Sequence, residues 1–198
     1  MKKAVTTYRM VASAVMIALA TVLNQFAVIQ LPFGGGVTVF SQVPIIMLGY
    51  IFGPAWGLVS GFIMSLTQLL FGLSNFAYVK TIVGYIVVAL FDYIVPYTIL
   101  GLGGIFKNRF KSAYAEITLG AVFVSFLRFL CHYFSGAFVW GEWMPETFLG
   151  LKMTSPWIYS ALYNGSYMLL ETIVTIIGIL ALARLFLPKL DENGMITN

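Results

Sequence analysis

The sequence predicts an all-α, polytopic membrane protein with six transmembrane helices, which form a single domain over residues 1–198. Hydrophobic residues make up 60% of the chain and charged residues only 9%, and the mean hydropathy is +0.93. A soluble domain of this length does not need so much apolar surface, so the composition indicates a membrane protein. Segments rich in glycine, proline or charge divide the chain into six apolar stretches and leave no room for a second, soluble domain.

The first three helices are separated by breaks that contain glycine and proline. Helix 1 is expected at about residues 8–29. Its basic start imitates a signal peptide, but the apolar run is long enough to span the membrane and to be retained. Residues 31–36 contain a proline and three glycines and form a loop. Helix 2 follows at about residues 37–52, and helix 3 runs from Pro54 to about Gly72.

The last three helices are longer, and polar segments separate them. Helix 4 is expected at about residues 78–106, helix 5 at about 114–140 and helix 6 at about 156–187. A basic turn connects helices 4 and 5, and a longer polar loop, residues 141–155, connects helices 5 and 6. The run Gly101-Leu102-Gly103-Gly104 is interpreted as a helix-packing segment and not as a dinucleotide-binding fingerprint.

Basic residues at three segment ends predict the orientation of these helices. The three groups are Lys2, Lys3 and Arg9; Lys107, Arg109 and Lys111; and Arg184 and Lys189. Cytoplasmic segments carry an excess of lysine and arginine, so six spans place all three groups and both termini in the cytoplasm. The net charge of +4 therefore reflects topology and not a nucleic-acid-binding surface. We expect a multi-pass protein of the cell membrane.

One stripe of helix 5 carries polar residues inside an apolar stretch. Residues four apart share a helix face, so Arg128, His132, the only histidine, and Gly136 line one stripe that leads to Trp140. A charge at membrane depth costs at least ~2.5 kcal/mol and needs a partner or water. The stripe fits either a buried ion pair or a ligand pocket. The small residues and the tryptophan favour the pocket.

Further polar residues lie within helices 4 and 6. Asp92, near the middle of helix 4, either pairs with Arg128 or forms with it the floor of a pocket that opens to the outside. Tyr159 and Asn164 lie in the outer half of helix 6, where Asn164 also suits a hydrogen bond to a neighbouring helix. Glu171 lies deeper on helix 6, and both a structural and a proton-titrating role fit it.

Several kinds of chemistry have no motif in this sequence. It contains no phosphate-binding loop, no His-Glu-x-x-His, no Cys-x-x-Cys and no Gly-x-Ser-x-Gly. One histidine without clustered ligands predicts no metal site, and we expect no cofactor. Cys131 is the single cysteine and cannot form an internal disulfide.

The spaced polar motifs resemble those of one family. The matching segments are residues 34–44, Asp92-Tyr93, the run from His132 to Trp140, and residues 159–165, in the same six-helix order. This pattern is similar to that of the thiamine-specific substrate-binding (S) components of energy-coupling factor (ECF) vitamin transporters. The resemblance covers nearly the whole chain. A tryptophan in the first outer loop of some relatives has no match here, where the loop offers Phe33, and Asp92 stands where some relatives have glutamate.

The resemblance implies capture of thiamine outside the membrane and its passage inward, together with a shared transmembrane coupling protein and two ATPase subunits. It also implies that the chain is not an enzyme. The implied substrate-binding residues are Asp92, Tyr93, His132, Trp140, Tyr159 and Asn164. Gly136, from the stripe of helix 5, completes the predicted set. Ala14 and Ala18 on helix 1 would be the docking surface for the coupling protein, since small residues four apart let helices approach closely. Packing of these alanines inside the chain is the alternative.

Residue chemistry suits thiamine independently. Its thiazolium is a permanent cation, which Trp140 can stabilise by about 2 kcal/mol and Asp92 can neutralise. Three alternatives remain: an S component for another small vitamin or precursor such as a hydroxymethylpyrimidine, an intramembrane enzyme that uses Asp92 and His132 as acid and base, and a purely structural subunit.

Overall fold

The computed structural model describes residues 2–192, which form a helical bundle that carries two short β-hairpins at one end. We refer to that end as the hairpin end. In this described part of the chain, five helices are long and apolar enough to cross a membrane, and a shorter apolar helix, Val43–Phe52, is the sixth segment. The predicted fold class, an all-α polytopic membrane protein, is confirmed.

The seven α-helical segments are α1 (Lys2–Asn24), α2 (Val43–Phe52), α3 (Pro54–Phe71), α4 (Ile82–Val88), α5 (Val95–Ile99), α6 (Ala113–Phe138) and α7 (Pro156–Glu192). The fourth membrane span, Ile82–Gly104, is composite. It joins α4 through the π-helical turn Ala89–Ile94 to α5 and ends in the 3-10 turn Leu100–Gly104.

The connection between α1 and α2 differs from the expected loop between two long helices. The first helix ends at Asn24 and not near residue 29, and β1 (Ala27–Gln30) pairs antiparallel with β2 (Gly36–Thr38). Between the strands, the 3-10 turn Pro32–Gly34 places Phe33 in the left-handed region, with φ of 64°. Proline and adjacent glycines suit such a turn, and the residues beside it have enough β propensity to pair.

The second helix is shorter than expected because it begins at Val43 and not at residue 37. Ten residues of α-helix extend about 15 Å, half of the ~30 Å hydrocarbon thickness. Strand β2 continues the path and its residues Gly36 and Thr38 line an internal cavity. Irregular backbone is tolerated at membrane depth where it lines a cavity and not where it faces lipid.

Glycines allow α2, α3 and the fourth span to pack with their backbones in contact. A Cβ atom on Gly49 or Gly57 would overlap the carbonyl oxygen of Gly101, and one on Gly120 would overlap the carbonyl oxygen of Gly103. Small residues drive such close approach in membranes, where lipid supplies no hydrophobic force between helices. The interpretation of the Gly101–Gly104 run as a packing segment agrees with these contacts.

A polar cluster ties α2 to α6 at the end of the bundle opposite the hairpins. The carboxylate of Glu116 accepts hydrogen bonds from the Tyr50 hydroxyl at 3.0 Å and the Phe110 amide at 3.1 Å. Lys107 Nζ lies 5.4 Å from the Tyr50 ring centroid. Partial burial lowers the pKa of Lys107, and the nearby Glu116 opposes this effect.

The two hairpins and two short 3-10 turns cover the hairpin end. The second hairpin pairs β3 (Thr147–Phe148) with β4 (Leu151–Lys152), and the turns are Leu73–Tyr78 and Trp140–Trp143. Helix α7 begins at Pro156 as expected. The side chain of Lys189 and those of Lys2 and Lys3 lie outside the described set, so the basic groups at the two termini are described only in part.

Candidate ligand-binding site

A cavity of about 510 Å³ lies between the helices below the hairpin end. Its size falls in the range of small-molecule sites. The structure brings all seven sequence-predicted substrate-binding residues into its lining: Asp92, Tyr93, His132, Gly136, Trp140, Tyr159 and Asn164. They come from the π-helical turn, α6, the turn that follows α6, and α7. Residues far apart in the sequence therefore face one space.

Asp92 is the polar centre of this cavity. Its carboxylate accepts hydrogen bonds from Ser135 Oγ at 2.8 Å and from Trp140 Nε1 at 2.8 Å, and His132 Nδ1 lies 3.2 Å from its other oxygen. The π-helical turn Ala89–Ile94 aims this side chain at α6. Single π-helical turns occur frequently at functional sites, because the extra residue redirects side chains. The carboxylate is thus held in place before any ligand arrives.

Arg128 does not pair with Asp92. Among the side chains that the structure describes, those of residues 5–185 and 187, the ion pair within 4.0 Å is that of Lys80 with Glu142, and the other basic group within this distance of a carboxylate is the imidazole of His132, beside Asp92. The guanidinium of Arg128 instead lies over the ring of Tyr97, 5.0 Å from its centroid. The reason is depth, since Arg128 precedes His132 by one helical turn, about 6 Å. The expected Asp92–Arg128 pair is therefore replaced by two separate polar groups in one cavity.

Trp140 belongs to an aromatic cluster over the cavity. Its ring and that of Phe33 are 5.5 Å apart and inclined by 31°. Phe33 also contacts Tyr78, at 5.5 Å, and Trp143, at 6.0 Å. Phe33, in the first hairpin, therefore packs against Trp140. Trp140 is the residue whose flat face was expected to contact the ligand.

Tyr93 connects the cavity wall to the segment after α3. Its hydroxyl donates to the carbonyl oxygen of Gly72 at 3.2 Å and accepts from Asn75 Nδ2 at 2.9 Å. Its ring stacks on Phe76 at 5.9 Å. Because these hydrogen bonds occupy the Tyr93 hydroxyl, the ring is the part of the side chain that is available to a ligand in the cavity.

Asn164 and Gly136 lie where α6 and α7 meet. Asn164 Nδ2 donates to the backbone oxygen of His132 at 3.1 Å, and its Oδ1 accepts from Tyr167 at 3.1 Å. A Cβ atom on Gly136 would overlap Ser160 Oγ, so glycine is required for this helix contact. The hydrogen bond from Asn164 to a neighbouring helix, one of the two roles expected of it, is present.

Tyr159 lies on the other side of α7 from Asn164, yet both line the cavity. Its ring packs against Phe148 of the second hairpin at 5.6 Å and against Tyr163 at 5.6 Å. The Tyr163 hydroxyl accepts from the Gly35 amide at 3.2 Å and donates to the Pro32 carbonyl. The tyrosines of α7 therefore fasten both hairpins over the cavity.

Glu171 anchors the first hairpin from the opposite side. Its carboxylate accepts from the amide of Thr38 at 2.6 Å, from Thr38 Oγ1 at 2.6 Å and from Gln42 Nε2 at 2.9 Å. Both of its oxygens are bonded, and the residue is buried. These are the contacts of a structural partner, one of the two roles that the sequence leaves open.

Several lining residues were not singled out by sequence. Asn24, Thr38 and Tyr97 lie at element ends or within ordinary-looking helix, and only the bundle geometry brings them to the cavity. Gln68 and Tyr163 were visible as polar residues in apolar stretches, but without a partner that defined their position. Asn24 lies at the end of α1 in the structure but inside the predicted helix, so its position at the cavity had no signal in the sequence.

The predicted docking residues lie on an exposed face of α1. Ala14 and Ala18 are both exposed, and so are Val11, Val15 and Val22 on the same helix. Packing of the two alanines against another helix of the chain, the alternative that the sequence allowed, is not what the structure shows. For metals, no group of three or more His, Cys, Asp or Glu side chains that would hold an ion occurs among the side chains that the structure describes, those of residues 5–185 and 187.

Fold and cavity together define a multi-pass helical membrane protein with a polar, ligand-sized binding cavity. The chain belongs to the thiamine transporter protein family, whose model matches residues 10–190. It is 30% identical over 196 aligned positions to the thiamine transporter ThiT of Bacillus subtilis, with 93% of this chain and 94% of that protein covered. It is 27% identical to ThiT of Lacticaseibacillus paracasei over 99 positions, 43% of this chain and 44% of that protein.

A solved structure has the same fold. ThiT from Listeria monocytogenes superposes with a TM-score of 0.73, at 20% sequence identity, over 93% of this chain and 97% of that one. At this identity the similarity establishes the architecture of the bundle. The family assignment comes from the sequence matches.

Proposed function

We propose that this chain captures thiamine with high affinity from the outer side of the membrane and is the substrate-binding subunit of a thiamine uptake system. One observation carries the proposal: a partly buried carboxylate, Asp92, is bonded to an indole, Trp140, inside a cavity large enough for a vitamin. An anion beside an aromatic face suits a flat organic cation, and the family assignment agrees with that ligand.

The charges of the cavity lining favour a monocation. Asp92 and Glu171 carry carboxylates, and Arg128 carries a guanidinium. With neutral His132, their sum is −1, which one permanent positive charge balances. A neutral hydroxymethylpyrimidine, the alternative ligand, would leave this charge uncompensated in a site of low dielectric. Charge balance therefore supports the thiazolium-bearing vitamin over its neutral precursor.

Within the cavity we assign the thiazolium to the Asp92 end, against Trp140 and His132. The aminopyrimidine is assigned to the α7 side, near Tyr159. Asn164 is already bonded to the His132 backbone and to Tyr167, so it contributes by holding α6 and α7 together at the site. Any direct contact of its amide with the ligand would replace one of these bonds. Tyr93 and Gly136 complete the wall.

Passage across the membrane is assigned to a complex with a shared ECF transmembrane coupling protein and two ATPase subunits. The docking surface is the face of α1 that carries Ala14 and Ala18. Its support is exposure combined with small side chains, since an apolar face with two alanines one turn apart accepts a close helix in lipid. The sequence contains no phosphate-binding loop, so it offers no means of using ATP by that route, which agrees with ATPase activity in other subunits.

Binding to the purified chain tests the proposal. The full chain in detergent is titrated with thiamine while its tryptophan fluorescence is followed, since Trp140 lines the cavity. A saturable change at one site is expected, and hydroxymethylpyrimidine should compete at least about 100-fold more weakly because it lacks the cation. Failure of thiamine to bind, or equal competition by the neutral pyrimidine, would refute the assignment.

A further inference from the structure

The deep end of the cavity contains buried hydrogen-bond donors that the protein leaves unused. We call Asn24, Gln68, Tyr97 and Arg128, all of which line the cavity, the deep cluster. Arg128 is 7% exposed and Gln68 is 3% exposed. Within the described chain, Nε and Nη1 of Arg128 and Nε2 of Gln68 have no hydrogen-bond partner.

Short contacts hold the deep cluster together. Asn24 Nδ2 donates to Gln68 Oε1 at 2.6 Å and to the Tyr97 hydroxyl at 3.3 Å. The Arg128 guanidinium lies over the same Tyr97 ring, at 5.0 Å. Tyr97 therefore lies between Arg128 and the Asn24–Gln68 pair. Because Gln68 Oε1 already accepts a hydrogen bond, Nε2 is the polar atom of Gln68 that remains unbonded. The cluster presents donors to the cavity.

A second network fixes the cluster from behind. Asn24 Oδ1 accepts from Ser41 Oγ at 3.2 Å, and Ser41 contacts Thr38 Oγ1 at 2.5 Å. Thr38 in turn donates to Glu171. The charge of Glu171 is thus held by β2 and the start of α2, and it interacts electrostatically with Arg128 without bonding its Nε or Nη1. These contacts fix the position of the deep cluster, and the unbonded N–H groups of Arg128 and Gln68 remain available to a ligand.

A buried N–H group of a charged side chain costs free energy when it forms no hydrogen bond. Such a site therefore favours a ligand that carries a hydrogen-bond acceptor. An anionic acceptor is disfavoured, because the two carboxylates of Asp92 and Glu171 already outnumber the guanidinium of Arg128 in the same cavity. The remaining class is a neutral acceptor with a lone pair. Two groups of the proposed ligand qualify, its hydroxyl and the nitrogens of its pyrimidine ring.

We propose that Arg128 and Gln68 form a second subsite, which binds a neutral hydrogen-bond acceptor of the ligand while Asp92 holds its cation. This inference rests on thiamine as the ligand. It assigns Arg128 a binding role at the far end of the cavity from Trp140, and it makes the ligand span the distance between the two polar centres.

Paired changes in protein and ligand test the subsite. The purified full chain, wild type and variants Arg128→Lys and Gln68→Met, is titrated calorimetrically with three ligands. These are thiamine, an analogue whose hydroxyl is replaced by hydrogen, and an analogue in which a pyrimidine ring nitrogen is replaced by CH. Arg128→Lys keeps the positive charge and removes the Nε donor. Ser65→Ala is the matched control on α3, buried outside the cavity and bonded to the Phe62 carbonyl.

For thiamine, each variant is expected to lose about 10- to 100-fold in affinity, the effect of one hydrogen bond involving a charged or buried group. One analogue should bind wild type and variants equally, and which analogue does so identifies the acceptor. Equal losses for all three ligands, or unchanged affinity for thiamine in both variants, would overturn the subsite. If wild type does not bind thiamine at all, the proposed function fails first. Gln68→Met keeps the test decisive if Arg128→Lys does not fold.

Discussion

The indole Nε1 of Trp140 and the carboxylate of Asp92 are joined by a hydrogen bond of 2.8 Å. The bond connects the composite fourth span to the turn that follows α6, so two separate segments fix one anion and one aromatic ring together. His132 and Ser135 hold the same carboxylate. A ligand that uses both groups finds them preorganised, which reduces the entropic cost of binding.

The charge of Asp92 should control affinity for a cationic ligand. Asp92→Asn removes the charge and keeps the size, so we expect thiamine affinity to fall about 10- to 100-fold, as for a lost bond to a charged group. Isothermal titration of the detergent-purified chain measures the change. Glu142→Gln is the matched control, since that carboxylate is exposed and paired with Lys80 outside the cavity. Equal affinities in both variants would contradict the assignment.

The aromatic face and the indole N–H group of Trp140 should contribute separately to thiamine affinity. Trp140→Phe retains an aromatic face and loses the bond to Asp92, whereas Trp140→Ala loses both. We expect the alanine variant to bind thiamine about tenfold more weakly than the phenylalanine variant, because cation–π contact is worth up to about 2 kcal/mol when desolvated. Calorimetry is required, since Trp140 is itself the fluorescent reporter. Indistinguishable affinities of the two variants would exclude stacking.

Glu171 should stabilise the fold through the first hairpin. Glu171→Ala leaves the amide of Thr38 and the side chain of Gln42 without their acceptor, and Arg128 without its electrostatic partner. We expect the free energy of unfolding to fall by about 3 kcal/mol, as for a broken buried polar network. Thermal unfolding in detergent measures it. Thr172→Ala, which removes only a bond to the Met168 carbonyl, should change Tm much less.

Much of this architecture was predictable because hydrophobic length and spaced polar residues follow simple rules. Membrane thickness and helical periodicity account for the six apolar segments and for the convergence of Asp92, His132 and Trp140. The packing run at Gly101–Gly104 was recognisable from its small residues. In lipid almost any long apolar run must be a helix, so the hydrophobic pattern of the sequence predicts most of the fold.

What could not be predicted depends on tertiary partners. The strand at Gly36–Thr38 replaces a helical turn because Glu171, far away in sequence, accepts the Thr38 amide. The π-helical turn at Asp92 has no sequence signal of its own and sets which side chains the carboxylate meets. The separation of Arg128 from Asp92 follows from that turn and from one helical turn of depth. Such distances are decided by packing and not by periodicity.

The orientation of the bundle stays a prediction that labelling can test. Single cysteines at Glu142 and Arg109, in a background without Cys131, lie at opposite ends of the bundle and at exposed positions. The basic groups predict that a membrane-impermeant thiol reagent added to intact cells labels Glu142→Cys and not Arg109→Cys. Permeabilised cells provide the control for reactivity. Labelling of Arg109→Cys in intact cells would contradict this orientation and indicate the opposite topology.

The exposed face of α1 should separate ligand binding from transport. Replacing Ala14 and Ala18 by tryptophan adds bulk to an exposed surface, so the isolated chain should keep its thiamine affinity within about threefold. Close approach of a partner helix would be blocked, so co-purification with the coupling subunits and ATP-driven thiamine uptake should be lost.

A matched pair on another helix makes the docking test specific. Leu169 and Ile173 on α7 are also four residues apart, and they are 66% and 48% exposed. Two tryptophans there add the same bulk to a face that we do not assign to a partner, so binding, assembly and uptake should all persist. If the α1 pair supports normal uptake, α1 is not the docking surface. If it abolishes binding together with uptake, the alanines serve the fold. Loss of uptake with retained binding, found in the α1 pair and absent from the α7 pair, is the result that only docking through Ala14 and Ala18 predicts.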